Sequence, residues 1–137
     1  TLSLCGGPAH PAPPPPAATN CESIIVCVNP PYPEWPEEWP PIIESVIAAA
    51  RATGSRIVLM GNLYPFGRQT RPFTGASLES PTEPKGATRA QLWRMLKQAD
   101  DLYVTELRAS DYFGPGAGIG SIVGDEFIDP ILAGGVA

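Results

Sequence analysis

Arg56-Ile57-Val58-Leu59-Met60, continuing into Gly61-Asn62-Leu63-Tyr64-Pro65-Phe66-Gly67, is the stretch on which the fold turns. An unbroken apolar run with β-branched members is the pattern of a strand buried on both faces of a parallel sheet. The glycines, Asn62 and Pro65 that follow form the loop at its carboxyl end. Working back, Ile24-Ile25-Val26-Cys27-Val28-Asn29 is a second such run. It stops at Pro30-Pro31-Tyr32-Pro33, where prolines withdraw backbone donors. Between the two runs, Glu34-Trp35-Pro36-Glu37-Glu38-Trp39-Pro40-Pro41 carries the acidic and proline residues suited to a helix start. Ile42, Ile43, Val46, Ile47 and Ala50 recur at helical spacing, so a helix is predicted to about Ala52, with Gly54 as its left-handed stop. Strand, helix and strand in succession predict a right-handed crossover unit. Working forward, a long loop from Arg68 to Pro84 leads to a predicted helix near Gly86 to Gln98. A third strand is predicted from Leu102 to Leu107. The expected class is α/β: a small parallel sheet with flanking helices.

The 137 residues, 43% hydrophobic and 17% charged, allow one modest core. A net charge of −5 and scattered arginines do not make the clustered basic footprint of a nucleic-acid binder. No apolar run approaches the roughly 20 residues that span a bilayer. A cytoplasmic protein, with no nucleic-acid or membrane partner, is therefore expected. Cys5, Cys21 and Cys27 are odd in number, lack paired metal-site spacing and are joined by the single histidine His10, so no metal site is expected. Cys27 reads as a small buried hydrophobe. Leu2-Ser3-Leu4-Cys5 is faintly like a lipoprotein cleavage site, but no basic start or long apolar region precedes it. Residues 1–22, with Pro8, Pro11, Pro13, Pro14, Pro15 and Pro16 among small residues, are read as a flexible tail, and residues 23–137 as the domain. The start at Thr1 and the end at Gly134-Gly135-Val136-Ala137 are read as those of a fragment.

Two later segments carry a resemblance. Pro72-Phe73-Thr74-Gly75-Ala76-Ser77-Leu78-Glu79-Ser80-Pro81-Thr82-Glu83-Pro84-Lys85-Gly86-Ala87-Thr88-Arg89 precedes Leu107-Arg108-Ala109-Ser110-Asp111-Tyr112-Phe113-Gly114-Pro115-Gly116. In this order they resemble the second half of the NAD(P)-dependent epimerase/dehydratase family, the extended or atypical short-chain dehydrogenases/reductases, over roughly Glu22 to Ala133. Gly75, Ala76 and Leu78 depart from the family's acidic turn, and Lys85 and Arg89 stand where it usually has a Tyr-x-x-x-Lys pair. The resemblance implies a partial Rossmann-like sheet, lacking the first glycine-rich βαβ half. No Gly-x-x-Gly-x-x-Gly turn precedes Ile24, and Gly114, Gly116, Gly118 and Gly120 follow the wrong strand. It also implies NAD or NADP as cofactor, and a hydroxyl- or carbonyl-bearing, sugar-type molecule as substrate.

By the same resemblance, Lys85 and Arg89 are the catalytic candidates. Asn29, Pro30, Asn62, Arg89, Arg108 and Ser110 are the candidates for touching the cofactor, and Tyr64, Asp111 and Tyr112 those for touching substrate. A lysine exchanges protons near neutrality only if burial or a nearby cation brings it far below its ordinary value of about 10.4. Arginine cannot cycle a proton, though its fork suits a ribose hydroxyl or a phosphate. Two readings of Lys85 and Arg89 stand: site residues, or solvated charges at a helix start. Trp35 and Trp39 are expected to pack on the helix they precede, or to form an exposed partner surface. Hydride transfer by this chain alone is not expected without the pyrophosphate cradle, and a binding module or a structural remnant are the alternatives. A sheet lacking three neighbours is expected to associate with itself through the exposed edge of the Ile24–Asn29 strand.

Overall fold

The structure, a computed structural model, describes residues 2–3, 21–110 and 129–135. Its elements are β1 (Leu2–Ser3), β2 (Ser23–Val26), α1 (Trp35–Thr53), β3 (Arg56–Asn62), α2 (Pro84–Gln98), β4 (Val104–Ala109) and α3 (Asp129–Leu132). The four strands form one parallel sheet in the order β1-β2-β3-β4. The α/β architecture expected from the alternating runs is present, with flanking helices.

Register explains where the core sits. Ile24, Ile57 and Val104 stand in one row, and Val26, Leu59 and Glu106 in the next. Ile24, Val26, Ile57 and Leu59 pack with Trp35, Trp39, Ile43, Ala49 and Ala50 of α1 and with Leu92 and Leu96 of α2. Both long helices therefore lie on one face. On the other face Ile25, Val58 and Met60 are half-buried and Leu107 is 51% exposed.

The element ends differ from the expected ones for identifiable reasons. β2 stops at Val26, short of the predicted Asn29, and residues 27–29 leave the ladder ahead of Pro30 and Pro31. β3 runs on to Asn62 because Ala109 of β4 pairs with it. Leu102 falls outside β4: its amide donates to the Ala99 carbonyl at 3.0 Å, closing the turn after α2. α1 starts earlier than a helix broken by proline would, and Pro40 and Pro41 lie inside it. Their missing amides would have served the carbonyls of Pro36 and Glu37, so the loss falls in the opening turns. Trp35 and Trp39 secure those turns by burial at 1% and 0% exposure, and the Trp35 indole N–H donates to the Pro30 carbonyl at 2.9 Å. They are members of the helix and of its core, which excludes an exposed partner surface. At the other end Gly54 takes φ 70° and donates its amide to Ala50, as the stop requires.

Two sequence expectations need adjustment. Leu2–Ser3, within the segment read as a tail, pairs in parallel with Ile24–Ile25. β2 is therefore flanked by β1 and β3, and among the described residues the long open edge is β4, not the Ile24–Asn29 run. Residues 4–20, with Cys5, His10 and the proline run, lie outside the described residues, as do Asp111, Tyr112 and the glycines from Gly114 to Gly120. Among the described residues no helix is long and apolar enough to cross a membrane.

The amino end of α2 is docked by a close backbone approach. A Cβ on Gly86 would lie 2.5 Å from the Tyr64 carbonyl oxygen, where the short 3-10 turn Tyr64–Phe66 crosses the helix. Glycine to alanine inside a helix ordinarily stabilises by up to about 1 kcal/mol. Here the sign should reverse: Gly86→Ala is expected to destabilise by about 1–3 kcal/mol through overpacking. Urea denaturation of the two proteins checks this, and a stabilised variant would show that α2 and the turn do not approach so closely.

Candidate functional site

The ends of three parallel strands open on one side, the carboxyl edge, where ligands of open α/β sheets collect. A cavity of ≈ 550 Å³ occupies that edge. Cys27, Val28 and Asn29 enter it after β2, Gly61 to Tyr64 at the end of β3, and Ala109 and Ser110 at the end of β4. Tyr32 and Trp35 come from the entry to α1, and Arg89 comes from α2.

Arg89 is the structural centre of this site. It is 5% exposed, with its guanidinium carbon 4.5 Å from the Trp35 ring centre and 4.3 Å from that of Trp39. The two indoles meet edge to face, so together they hold the cation in a fixed orientation. Nη1 donates to the Met60 carbonyl at 3.4 Å, tying the helix residue to the sheet. Arg89 is therefore not a solvated helix charge, which settles one of the two readings for that residue.

The remaining candidates divide. Asn29, Asn62, Tyr64 and Ser110 line the same cavity as Arg89. Asn62 also builds its own loop, accepting the Tyr64 amide at Oδ1 (3.1 Å). Pro30, Lys85 and Arg108 are not among the lining residues. Pro30 serves through its carbonyl, which receives the Trp35 indole. The Lys85 ammonium lies 4.0 Å from the centre of the Tyr32 ring, in cation–π contact with that lining residue. Arg108 stands on the helix-covered face: Nε donates to Glu106 Oε2 at 2.6 Å and Nη2 to Glu79 Oε1 at 3.5 Å, with the guanidinium 4.7 Å from the Phe66 ring centre.

Several site residues had no signal in the chain's motifs. Tyr32 and Trp35 form an aromatic wall with Tyr64, at centroid separations of 4.9 Å and 6.3 Å from Trp35. Cys27, read as a buried hydrophobe, is exposed and lines the cavity. Glu106 is the larger omission. Its side chain is only 2% exposed, Oε1 is buried and accepts no hydrogen bond among the described residues, and a Cβ on Gly61 would collide with it. Burial pushes the Glu106 carboxyl above its ordinary value, against the opposing hydrogen bond and charge of Arg108 and the charge of Arg89.

The donor set of the cavity is a fixed guanidinium, two amide side chains, a hydroxyl and two phenols, suited to holding a polyhydroxylated or ring-bearing small molecule. Among the described residues no group of three or more His, Cys, Asp or Glu could hold a metal ion. Comparison with protein-family models and with curated proteins finds no match to this chain.

Proposed function

We propose that the carboxyl-edge cavity binds the nicotinamide-ribose end of NAD or NADP, or a sugar-like hydroxyl-bearing molecule, within a Rossmann-like scaffold of the epimerase/dehydratase type. The observation that carries this reading is convergence. Asn29, Asn62, Arg89 and Ser110, drawn from four separate segments and all assigned to the cofactor by resemblance, line one cavity. Arg89, immobilised between two indoles, offers its fork to ribose hydroxyls with little orientational freedom to lose. Tyr32, Trp35 and Tyr64 offer a face for a planar ring.

The fit extends to only part of a dinucleotide. A pyrophosphate is held by free amides at a helix start. Pro36 stands in the first turn of α1 and Pro84 in that of α2, so each of these helices withdraws a donor from that place. A nicotinamide, when bound, supplies the hydride-accepting carbon. The residues here supply binding and orientation: Arg89 carries a charge it cannot release, and Lys85 is held over Tyr32. The proposed activity is therefore binding without turnover.

Fluorescence titration with NADH should give a Kd no tighter than about 1 mM, or roughly −4 kcal/mol. Nicotinamide mononucleotide should bind within about threefold of NADH, because the adenosine half gains no contact. Micromolar NADH binding, or NADH oxidation coupled to a sugar substrate, would contradict this reading.

A further inference from the structure

α2 meets the aromatic wall of the cavity with two cations. Lys85 and Arg89 stand one helical turn apart, and so on one face of the helix. The Lys85 ammonium lies 4.0 Å from the Tyr32 ring centre and the Arg89 guanidinium 4.5 Å from that of Trp35, and these two rings are neighbours with centres 4.9 Å apart. The close approach of Gly86 to the Tyr64 carbonyl holds this turn of α2 beside the third ring of the wall. The two cations are not equivalent. Arg89 is buried and engaged with Trp35, Trp39 and the Met60 carbonyl, so its removal dismantles the site. Lys85 is half-buried, lies outside the lining and, among the described residues, takes part in no ion pair. Tyr32, the ring it touches, is 46% exposed and lines the cavity. None of the described lining residues is Asp or Glu.

Aromatic faces attract cations through their quadrupoles, so a wall of three rings would ordinarily favour a cationic ligand. Here Tyr32 already carries an ammonium. A second cation brought to the wall is repelled by the first, and no carboxylate of the described lining offsets that repulsion; an anion is attracted instead. We propose that Lys85, placed on the Tyr32 ring, sets the charge selectivity of the cavity: the wall takes a neutral or anionic planar ring and disfavours a cationic one. The inference deepens the reading of this cavity as a site for a planar ring and rests on it. The oxidised nicotinamide ring is a cation and the reduced ring is neutral, so of the two the reduced ring fits better. In the mononucleotide and the dinucleotide the phosphates bring anions of their own, so the selectivity is read on rings without phosphate.

Nicotinate, nicotinamide and 1-methylnicotinamide present nearly the same ring as an anion, a neutral molecule and a cation at neutral pH. Each is titrated against the wild-type protein, with the amides of Asn29, Asn62, Leu63 and Ser110 reporting binding by chemical shift. Nicotinate should bind about tenfold more tightly than 1-methylnicotinamide, with nicotinamide between them. Lys85→Met should compress that spread to about threefold or less, and Lys85→Arg, which keeps the charge, should retain it. A merely structural contribution of Lys85 would weaken all three rings alike in Lys85→Met and leave the spread intact, and that result overturns the proposal. Equal wild-type affinities for the three rings, or tightest binding of the cation, overturn it without any variant and leave the ring site standing. No shift at the cavity amides with any of the rings sinks both this proposal and the ring-site reading. Ordered binding of the three rings by a protein that fails to bind NADH sinks only the dinucleotide reading and supports the role of Lys85.

Discussion

Trp39→Ala is expected to cost about 3–5 kcal/mol, the upper range for truncating a single buried side chain. Trp39 is 0% exposed at the junction of α1, α2 and the sheet, and its ring is one of the two that hold Arg89. Removal leaves a cavity the size of an indole among groups that are themselves fixed by packing, so little collapse can relieve it. Against a total stability of roughly 5–15 kcal/mol, the melting midpoint should fall by at least about 10 °C. Trp39→Phe separates ring from polar atom. The indole N–H is buried with no acceptor among the described residues, so its loss carries no hydrogen-bond penalty and the cost, set by the smaller cavity alone, should be well below that of Trp39→Ala. Equal destabilisation by both variants, read by thermal melting, would show that the indole N–H has a partner that matters.

Arg89→Ala should lose about 2 kcal/mol or more, since two desolvated cation-ring contacts and the bond to the Met60 carbonyl vanish together. The variant also carries a pH signature. The Glu106 carboxyl is raised by burial, so the stability contributed by its protonated form is complete at low pH and is lost as pH rises through its folded value. Arg89 opposes that rise, and without it the loss deepens. The melting deficit of Arg89→Ala relative to wild type should therefore be larger in mildly alkaline than in mildly acidic buffer. A deficit that shrinks with rising pH would mean that Arg89 and Glu106 do not feel each other.

The architecture was legible because its signals are local. Ile57 to Met60 and Ile24 to Val26 are apolar runs too short for helices, and Gly54 marks a helix end by conformation alone. The Glu34–Pro41 segment was legible as a helix start, but where within it the helix begins was not: burial of Trp35 and Trp39 carries α1 back to Trp35 and leaves Pro40 and Pro41 inside it. Asn29, Asn62 and Ser110, named from the resemblance, line one cavity because strand ends in a parallel sheet share one edge. Glu106 was not. Alternation in Val104-Thr105-Glu106-Leu107-Arg108 taken alone turns Leu107 inward and Glu106 outward, yet α2 covers the face bearing Glu106 and leaves Leu107 51% exposed. Which face a helix covers is a tertiary choice, and no spacing within the strand records it. The same holds for Arg89: its sequence position shows a charge near a helix start, and only the packing of α1 against α2 puts it between two indoles.

A ligand site organised by Arg89 at the carboxyl edge of this sheet is tested most directly by amide chemical-shift mapping during titration with nicotinamide mononucleotide. Shifts should saturate together at Asn29, Asn62, Leu63 and Ser110, with Ser23, Arg56 and Val104 at the opposite edge unmoved. Shifts centred on that opposite edge or on the Val58–Leu107 face, or none at concentrations well above the expected millimolar Kd, would contradict it.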